Sequence, residues 1–309
     1  MRTPTTIHDQ AVPDRRRRLL ILVICSVSLL LVGLDVTIVN VALPAIQRSF
    51  HATLSDLQWT VDAYTLVLAS LLMLAGSTAD RLGRRRVFIA GLALFSLGSL
   101  LCALAPSVGL LVCFRIVQAI GGAALSPVAM SIVRNTFEDP RERARAIGVF
   151  AAMFGISMAL GPVLGGALVS AMSWRAVFVV GVPFALAAIA LSALFVPESR
   201  ATRPRRPDPV AQVLLIAALS ALTYGIIEGG RAGFGAVGIE IVLGGALVGF
   251  AVLVFYELRR REPLLEMRFF QSAPFAGAIA IAVCLSVALG GFLFTNTLYL
   301  QDVRGLSPL

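Results

Sequence analysis

The stretch GSTADRLGRRRVF, residues 76–88, sets five charged side chains and two glycines between two strongly apolar runs. Asp80, Arg81, Arg84, Arg85 and Arg86 cannot enter hydrocarbon cheaply, so they belong at a membrane surface. The runs on either side then belong within the membrane. Working outward from this segment, nine apolar runs are found: 19–42, 57–77, 87–105, 108–132, 146–171, 176–196, 210–228, 237–257 and 274–299. Each approaches the roughly 20 helical residues that cross a hydrocarbon core about 30 Å thick. They are continuously apolar, unlike the alternating segments of about 10 residues in a membrane β-barrel. Backbone polar groups in lipid must pair within their own segment, so the runs are expected as helices. The composition agrees: 58% of residues are hydrophobic and 14% charged, against about a quarter charged in a soluble domain. The expected class is an all-α membrane protein.

The net charge of +9 and pI near 10.6 would fit a nucleic-acid partner were the arginines not so placed. Arg2, Arg15 to Arg18, Arg81, Arg84 to Arg86, Arg134, Arg141, Arg143, Arg145, Arg200, Arg203, Arg205, Arg206, Arg259 to Arg261 and Arg268 fall in the N-terminal tail or in every second loop. The other loops hold only Arg48, Arg175, Arg231 and Arg304, and Arg115 alone lies inside a run. This asymmetry follows the positive-inside rule, which puts the N-terminus in the cytoplasm and the chain in the cytoplasmic membrane. The basic charge reports topology, and no nucleic-acid partner is expected. Cys25, Cys102, Cys113 and Cys284 sit in apolar runs without CxxC spacing, so neither a metal site nor a disulfide framework is indicated. The first run follows four arginines but is too long for a signal-peptide core and lacks a cleavage site, so it reads as an uncleaved helix.

The runs divide the chain into a basic tail (1–18), a six-helix block (19–197), a proline- and arginine-rich linker (198–209), two extra helices (210–257), a basic loop (258–273) and one further helix (274–309). Asp35 lies inside the first run. An intramembrane carboxylate is costly, and it either pairs for packing or serves an ion or substrate pathway. In the fourth run Arg115, Gln118, Gly122 and Ser126 form a stripe at i, i+3, i+7 and i+11. Asp35 is roughly 13 Å below the outer end of its helix and Arg115 roughly 12 Å below the same face, so the two can couple. Asp62 lies about 7 Å inside the second run, shallow enough for solvation. Trp59 and Tyr64 beside it read as interfacial anchors, with aromatic contact to a cationic ligand as the alternative. The fifth run carries Gly155, Gly161, Pro162, Gly165 and Gly166. Gly161 and Gly165 make a GxxxG that permits close helix approach, and Pro162 removes a backbone donor.

Together these segments resemble the major facilitator superfamily. Gly76, Asp80, Arg81, Gly83, Arg84 and Arg85 match its G-x-x-x-D-R-x-G-R-R signature between the second and third helices. RIVQAIGGAA and GISMALGPVLGG resemble its fourth- and fifth-helix antiporter signatures, and LDVTIVNVALP resembles the first-helix signature of its fourteen-helix drug:proton antiporters. The extra helices and the segments YGIIEGG and EPLLEMRFF fit that branch. The resemblance implies a major facilitator-type helical bundle that exports drugs or other amphipathic or cationic small molecules by alternating access. It implies no cofactor: a proton gradient drives the cycle, with Asp35 and Asp62 handling protons beside Arg115 and Gln118. It also implies that the segment at 76–85 is a breakable ion-pair latch at the cytoplasmic gate. Nine helices against fourteen leave the second bundle nearly absent, so the alternatives are a non-transporting fragment, a subunit completed by a second chain, or an exporter of one metabolite or antibiotic. A membrane enzyme is not expected, because no catalytic dyad, metal cluster or phosphate loop occurs.

Overall fold

The computed structural model describes residues 14–202, 208–260 and 267–307, so most of the basic tail and parts of the linker and the basic loop lie outside the described residues. Its helices are α1 (Arg15–Phe50), α2 (Leu54–Leu82), α3 (Arg84–Ala103), α4 (Val108–Thr136), α5 (Pro140–Ala171), α6 (Ala176–Val179), α7 (Val182–Phe195), α8 (Pro209–Ala232), α9 (Val237–Arg259) and α10 (Ala273–Leu298). Among the described residues nine spans are long and apolar enough to cross a membrane, with α6 and α7 together forming one, Ala176–Phe195. The protein is an all-α, multi-pass membrane protein.

The helix starts are written in the sequence. Thr53 and Asp56 form a capping box at α2: the Thr53 amide donates to the Asp56 carboxylate at 2.8 Å, and the Asp56 amide to the Thr53 hydroxyl at 3.3 Å. Asp139 and Asp208 accept backbone amides at the starts of α5 and α8, each followed by a proline whose missing N–H costs nothing there. The apolar runs marked only the hydrocarbon-compatible part of each helix. Thus α1 starts at Arg15 and continues through Pro44 to Phe50, well beyond 19–42, because arginine is a good helix former and the interface tolerates its charge.

α1 is the central helix and packs against α4, α5 and α7. α3 and α4 run closely along each other, α2 lies on α4, and the α8–α9 hairpin is joined to the bundle through α8 on α2. The α3–α4 approach depends on glycine: a Cβ on Gly121 would meet the Phe95 backbone, and one on Gly98 would lie 2.5 Å from the Gln118 backbone. α10 leans on α1 and has no buried residue. The core falls into two apolar clusters, one around Phe88, Leu125 and Val133, the other around Leu43, Leu57, Leu111 and Phe178. Val32 belongs to the first and Leu34 to the second, so Asp35 sits where the two meet.

Candidate functional site

At that junction α1 contributes Asp35, α4 contributes Arg115 and Gln118, and α3 contributes Ser99. Arg115 Nη1 donates to Asp35 Oδ2 at 2.6 Å and to Gln118 Oε1 at 2.7 Å. Gln118 Nε2 donates to Asp35 Oδ1 at 2.8 Å and to the Ser99 hydroxyl at 2.8 Å. Arg115 Nε donates to the Thr60 carbonyl of α2 at 3.1 Å. Both carboxylate oxygens and both ends of the Gln118 amide are therefore occupied, although Arg115 and Gln118 are each only 1% exposed and Asp35 5%. A charge so far from water persists only when paired and hydrogen-bonded on all sides. The i, i+3 spacing of Arg115 and Gln118 lets one turn of α4 clamp a single carboxylate from both oxygens.

The sequence brings Asp35, Arg115 and Gln118 into view; Ser99, the Thr60 carbonyl and Tyr64 it does not. Tyr64 is a correction. It is fully buried rather than interfacial, with its ring centroid 4.2 Å from the Arg115 guanidinium carbon, inside the range of a cation–π contact. Trp59 is likewise used within the fold: its indole N–H points to Glu228 of α8 at 3.4 Å and its ring packs on Tyr224. Both residues carry aromatic rings near a span end, which is also how membrane anchors look, and only the neighbouring helices distinguish the two roles.

Asp62 has different surroundings from Asp35. It is half-buried and lines a cavity of about 720 Å³ between α1, α2, α5 and α10, with Asn40, Gln58, Thr65, Met158 and Phe294. That volume lies within the roughly 300–1,000 Å³ of small-molecule sites. The wall is mostly apolar, and Asp62 supplies its one carboxylate among the described residues. No side chain or backbone group of the described residues pairs with that carboxylate. Asp62, shallow enough in its helix for solvation, faces this cavity. It stands two residues after Thr60, whose carbonyl holds Arg115, so one turn of α2 links the cavity to the ion pair.

The glycines of α5 do not share one role. Gly161 packs directly on Thr37 of α1, and a Cβ on Gly165 would lie 3.0 Å from Ile38. Gly166 is buried, whereas Gly155 meets nothing. Gly33 of α1, unremarked in the sequence, completes the close approach by packing on Ser157 and Phe154. Pro162 removes the helical bond to the Met158 carbonyl, and Met158 is a wall residue of the cavity.

At the turn between α2 and α3, Arg84 donates twice to Asp80 Oδ1, at 3.0 and 2.8 Å. Among the described residues the side-chain partner of Asp80 is therefore one helical turn away. Gly83 has φ +118°, a conformation that side chains disfavour. A Cβ there would also lie 2.6 Å from the Glu198 carboxylate. Glu198, read only as linker in the sequence, accepts the Arg85 amide at 3.1 Å and lies 3.6 Å from Arg86. Arg84 N donates to Ser199 O at 2.9 Å and Ala201 N to Asp80 O at 3.0 Å, so the start of the linker is bonded along the turn. Gly76 lies against Pro127, 3.7 Å from where its Cβ would be.

Comparison with known proteins places this arrangement. The chain is 40% identical over 293 residues to the multidrug resistance protein Stp of Mycobacterium tuberculosis, which covers 95% of this chain and 55% of the relative. It is 37% identical over 303 residues to the tetracenomycin C resistance and export protein of Streptomyces glaucescens, covering 98% and 56%. It is 38% identical over 288 residues to the multidrug efflux pump LfrA of Mycolicibacterium smegmatis, covering 93% and 57%. The chain thus spans little more than half the length of these relatives. A solved bacterial homologue of the human lysosomal transporter Spinster, inward-facing and unoccupied, shares the fold with a TM-score of 0.53 over 80% of this chain and 62% of that one, at 24% identity. The family profile of the Major Facilitator Superfamily matches residues 25–309, nearly the whole of the helical bundle described above. The signature turn, the α1–α5 glycine contacts and the nine spans thus have a common origin: the chain belongs to the Major Facilitator Superfamily.

Proposed function

We propose that this chain carries the substrate- and proton-handling bundle of a proton-coupled exporter of drug-like amphipathic or cationic molecules. It would work by alternating access in the cytoplasmic membrane, with the N-terminus inside. The observation that carries this reading is the unpartnered Asp62 carboxylate in a largely apolar cavity of about 720 Å³. Such a wall takes up an apolar body, and a lone carboxylate in it attracts either a cation or a proton. Competition between the two is the simplest way to couple proton entry to release of a cationic ligand. Asp35 is the second titratable group of the reading. Its bonds to Arg115 and Gln118 would have to open before it takes a proton, and the Thr60–Asp62 turn is the short route by which cavity occupancy would reach them. The relatives named for multidrug resistance and efflux support this substrate class.

The test is efflux of ethidium from cells of a pump-deficient host expressing this chain. Loss of ethidium that stops when the proton gradient is collapsed, and that Asp62→Asn or Asp35→Asn abolishes, supports the proposal. Efflux unaffected by either variant would overturn it. A second reading, in which another chain completes the pathway, is favoured by one observation, the absence of any buried residue on α10. It predicts ethidium binding by the purified chain without efflux.

A further inference from the structure

At the membrane-surface end of α2 and α3 lies a second cavity, of about 360 Å³, lined by Arg81, Leu82, Arg86, Val87, Ala90 and Arg200. Three of its six lining residues are arginines, and they come from three parts of the chain: the last turn of α2, the first turn of α3 and the linker after α7. Chance crowding of like charge is disfavoured, yet the backbone enforces it. Ser199 O accepts the Arg84 amide and Ala201 N donates to Asp80 O, so both neighbours of Arg200 are fastened to the turn that carries Arg81 and Arg86. The carboxylates facing this group are Glu198 and Asp80. Asp80 is taken up by Arg84. Glu198 accepts the Arg85 and Ser199 amides and stands 3.6 Å from Arg86, whose side chain remains 68% exposed. Among the described residues Arg81 and Arg200 form no ion pair or side-chain hydrogen bond. The guanidiniums therefore outnumber the anions available to them, at a place where the remaining wall is aliphatic and Leu82 is exposed.

We infer that this cavity is a phosphate-group site, which the phosphodiester of an anionic phospholipid fills from the membrane. Guanidinium groups offer paired N–H donors that match phosphate oxygens. Basic pockets between spanning helices at the cytoplasmic surface are a form that such headgroup sites take. Leu82, Val87 and Ala90 give the glycerol and upper acyl carbons an apolar wall next to the phosphate. A bound phosphate would bridge α2, α3 and the linker, adding to the backbone bonds that already join them. The site is separate from the cavity of Asp62 and does not depend on the transport reading.

The test uses the full chain purified in dodecyl maltoside. Native mass spectrometry would count adducts of dioctanoyl-phosphatidylglycerol, with zwitterionic dioctanoyl-phosphatidylcholine as comparator and inorganic phosphate as competitor. The expected result is a severalfold excess of phosphatidylglycerol adducts. Arg81→Gln/Arg86→Gln/Arg200→Gln should remove that excess, whereas the charge-matched Arg134→Gln/Arg141→Gln/Arg145→Gln should retain most of it. Displacement by millimolar inorganic phosphate would assign the site to free phosphate as well; resistance to it would assign the site to lipid alone. Equal adducts of the two lipids, or equal losses in the two triple variants, would overturn the inference. Arg200→Gln alone keeps the test decisive if the triple variant misfolds, because Arg200 lies outside the helices: about half the excess should go, and no change would refute the site.

Discussion

Replacing Asp35 by asparagine keeps the shape of the side chain and removes its charge. It leaves Arg115, 1% exposed, without a counter-ion. It also puts an NH₂ group opposite either Arg115 Nη1 or Gln118 Nε2, both of which are donors. Two unit charges about 4 Å apart attract by about 4 kcal/mol at an effective dielectric constant of about 20. Removing one partner of a buried pair costs about 3–5 kcal/mol, and the two figures agree. Asp35→Asn should therefore lower the unfolding free energy by about 3–5 kcal/mol. Arg115→Gln should cost a similar amount by leaving Asp35 buried and unneutralised. The double variant has no uncompensated charge, so its cost should fall short of the sum by about 2 kcal/mol or more, near the top of the range for contacting residues. The assay is reversible unfolding in mixed dodecyl sulfate and dodecyl maltoside micelles, followed by helical circular dichroism. Single costs that add to within about 0.5 kcal/mol would mean that the pair is not coupled, and the reasoning would fail.

Other expectations follow from the same geometry. Gly161→Ala should destabilise the protein by about 1–3 kcal/mol, since its Cβ would drive into Thr37, whereas Gly155→Ala should change stability by less than about 0.5 kcal/mol; the same micelle titration separates them. Gly83→Ala should cost about 1–3 kcal/mol, from its φ of +118° and its contact with Glu198, and limited proteolysis should show the α2–α3 turn cut faster. Asp208 sits at the start of α8. Burial pushes its carboxyl up, but the Ala211 amide, the Tyr256 hydroxyl and Arg260 outweigh this and hold it below the usual aspartate range. A lowered carboxylate contributes stability above its unfolded pKa of about 3.9 and loses it as pH falls through the folded value. Protection of the α8–α9 hairpin from hydrogen exchange should therefore be flat from neutral pH down to about 4 and decline only below it. In Asp208→Asn that acid step should be missing.

The spans were legible because membrane helices need long apolar runs, a demand no other part of the chain meets. Their ends were not, as the extra turns of α1 at Arg15 and Phe50 lie where the hydrocarbon no longer selects the residues. The single run at 176–196 is interrupted between Val179 and Val182, where Gly181 and Pro183 stand and the proline cannot supply the helical bond to the Val179 carbonyl. Asp35 and Arg115 stood out because a charge inside an apolar run is rare, and Gln118 because it shares the stripe of Arg115. Ser99, the Thr60 carbonyl and Tyr64 carried no such mark. Ser99 is an ordinary small residue, a backbone carbonyl leaves no trace in sequence, and Tyr64 resembles an anchor until α4 is laid against it. Glu198 was hidden likewise, since its partners lie more than a hundred residues earlier at the α2–α3 turn. Local chemistry can be read from one stretch, but the contacts between helices that complete a site need the packed structure.

In the proposed function Asp62 is the carboxylate that meets the transported molecule. The most direct measurement is ethidium binding to the purified chain, followed by the fluorescence of the dye between pH 5 and 8. Wild-type affinity should fall as the pH is lowered, because proton and cation compete for one carboxylate, and Asp62→Asn should bind at least tenfold more weakly at pH 8 with no pH dependence. Binding by Asp62→Asn with wild-type affinity and wild-type pH dependence would contradict it.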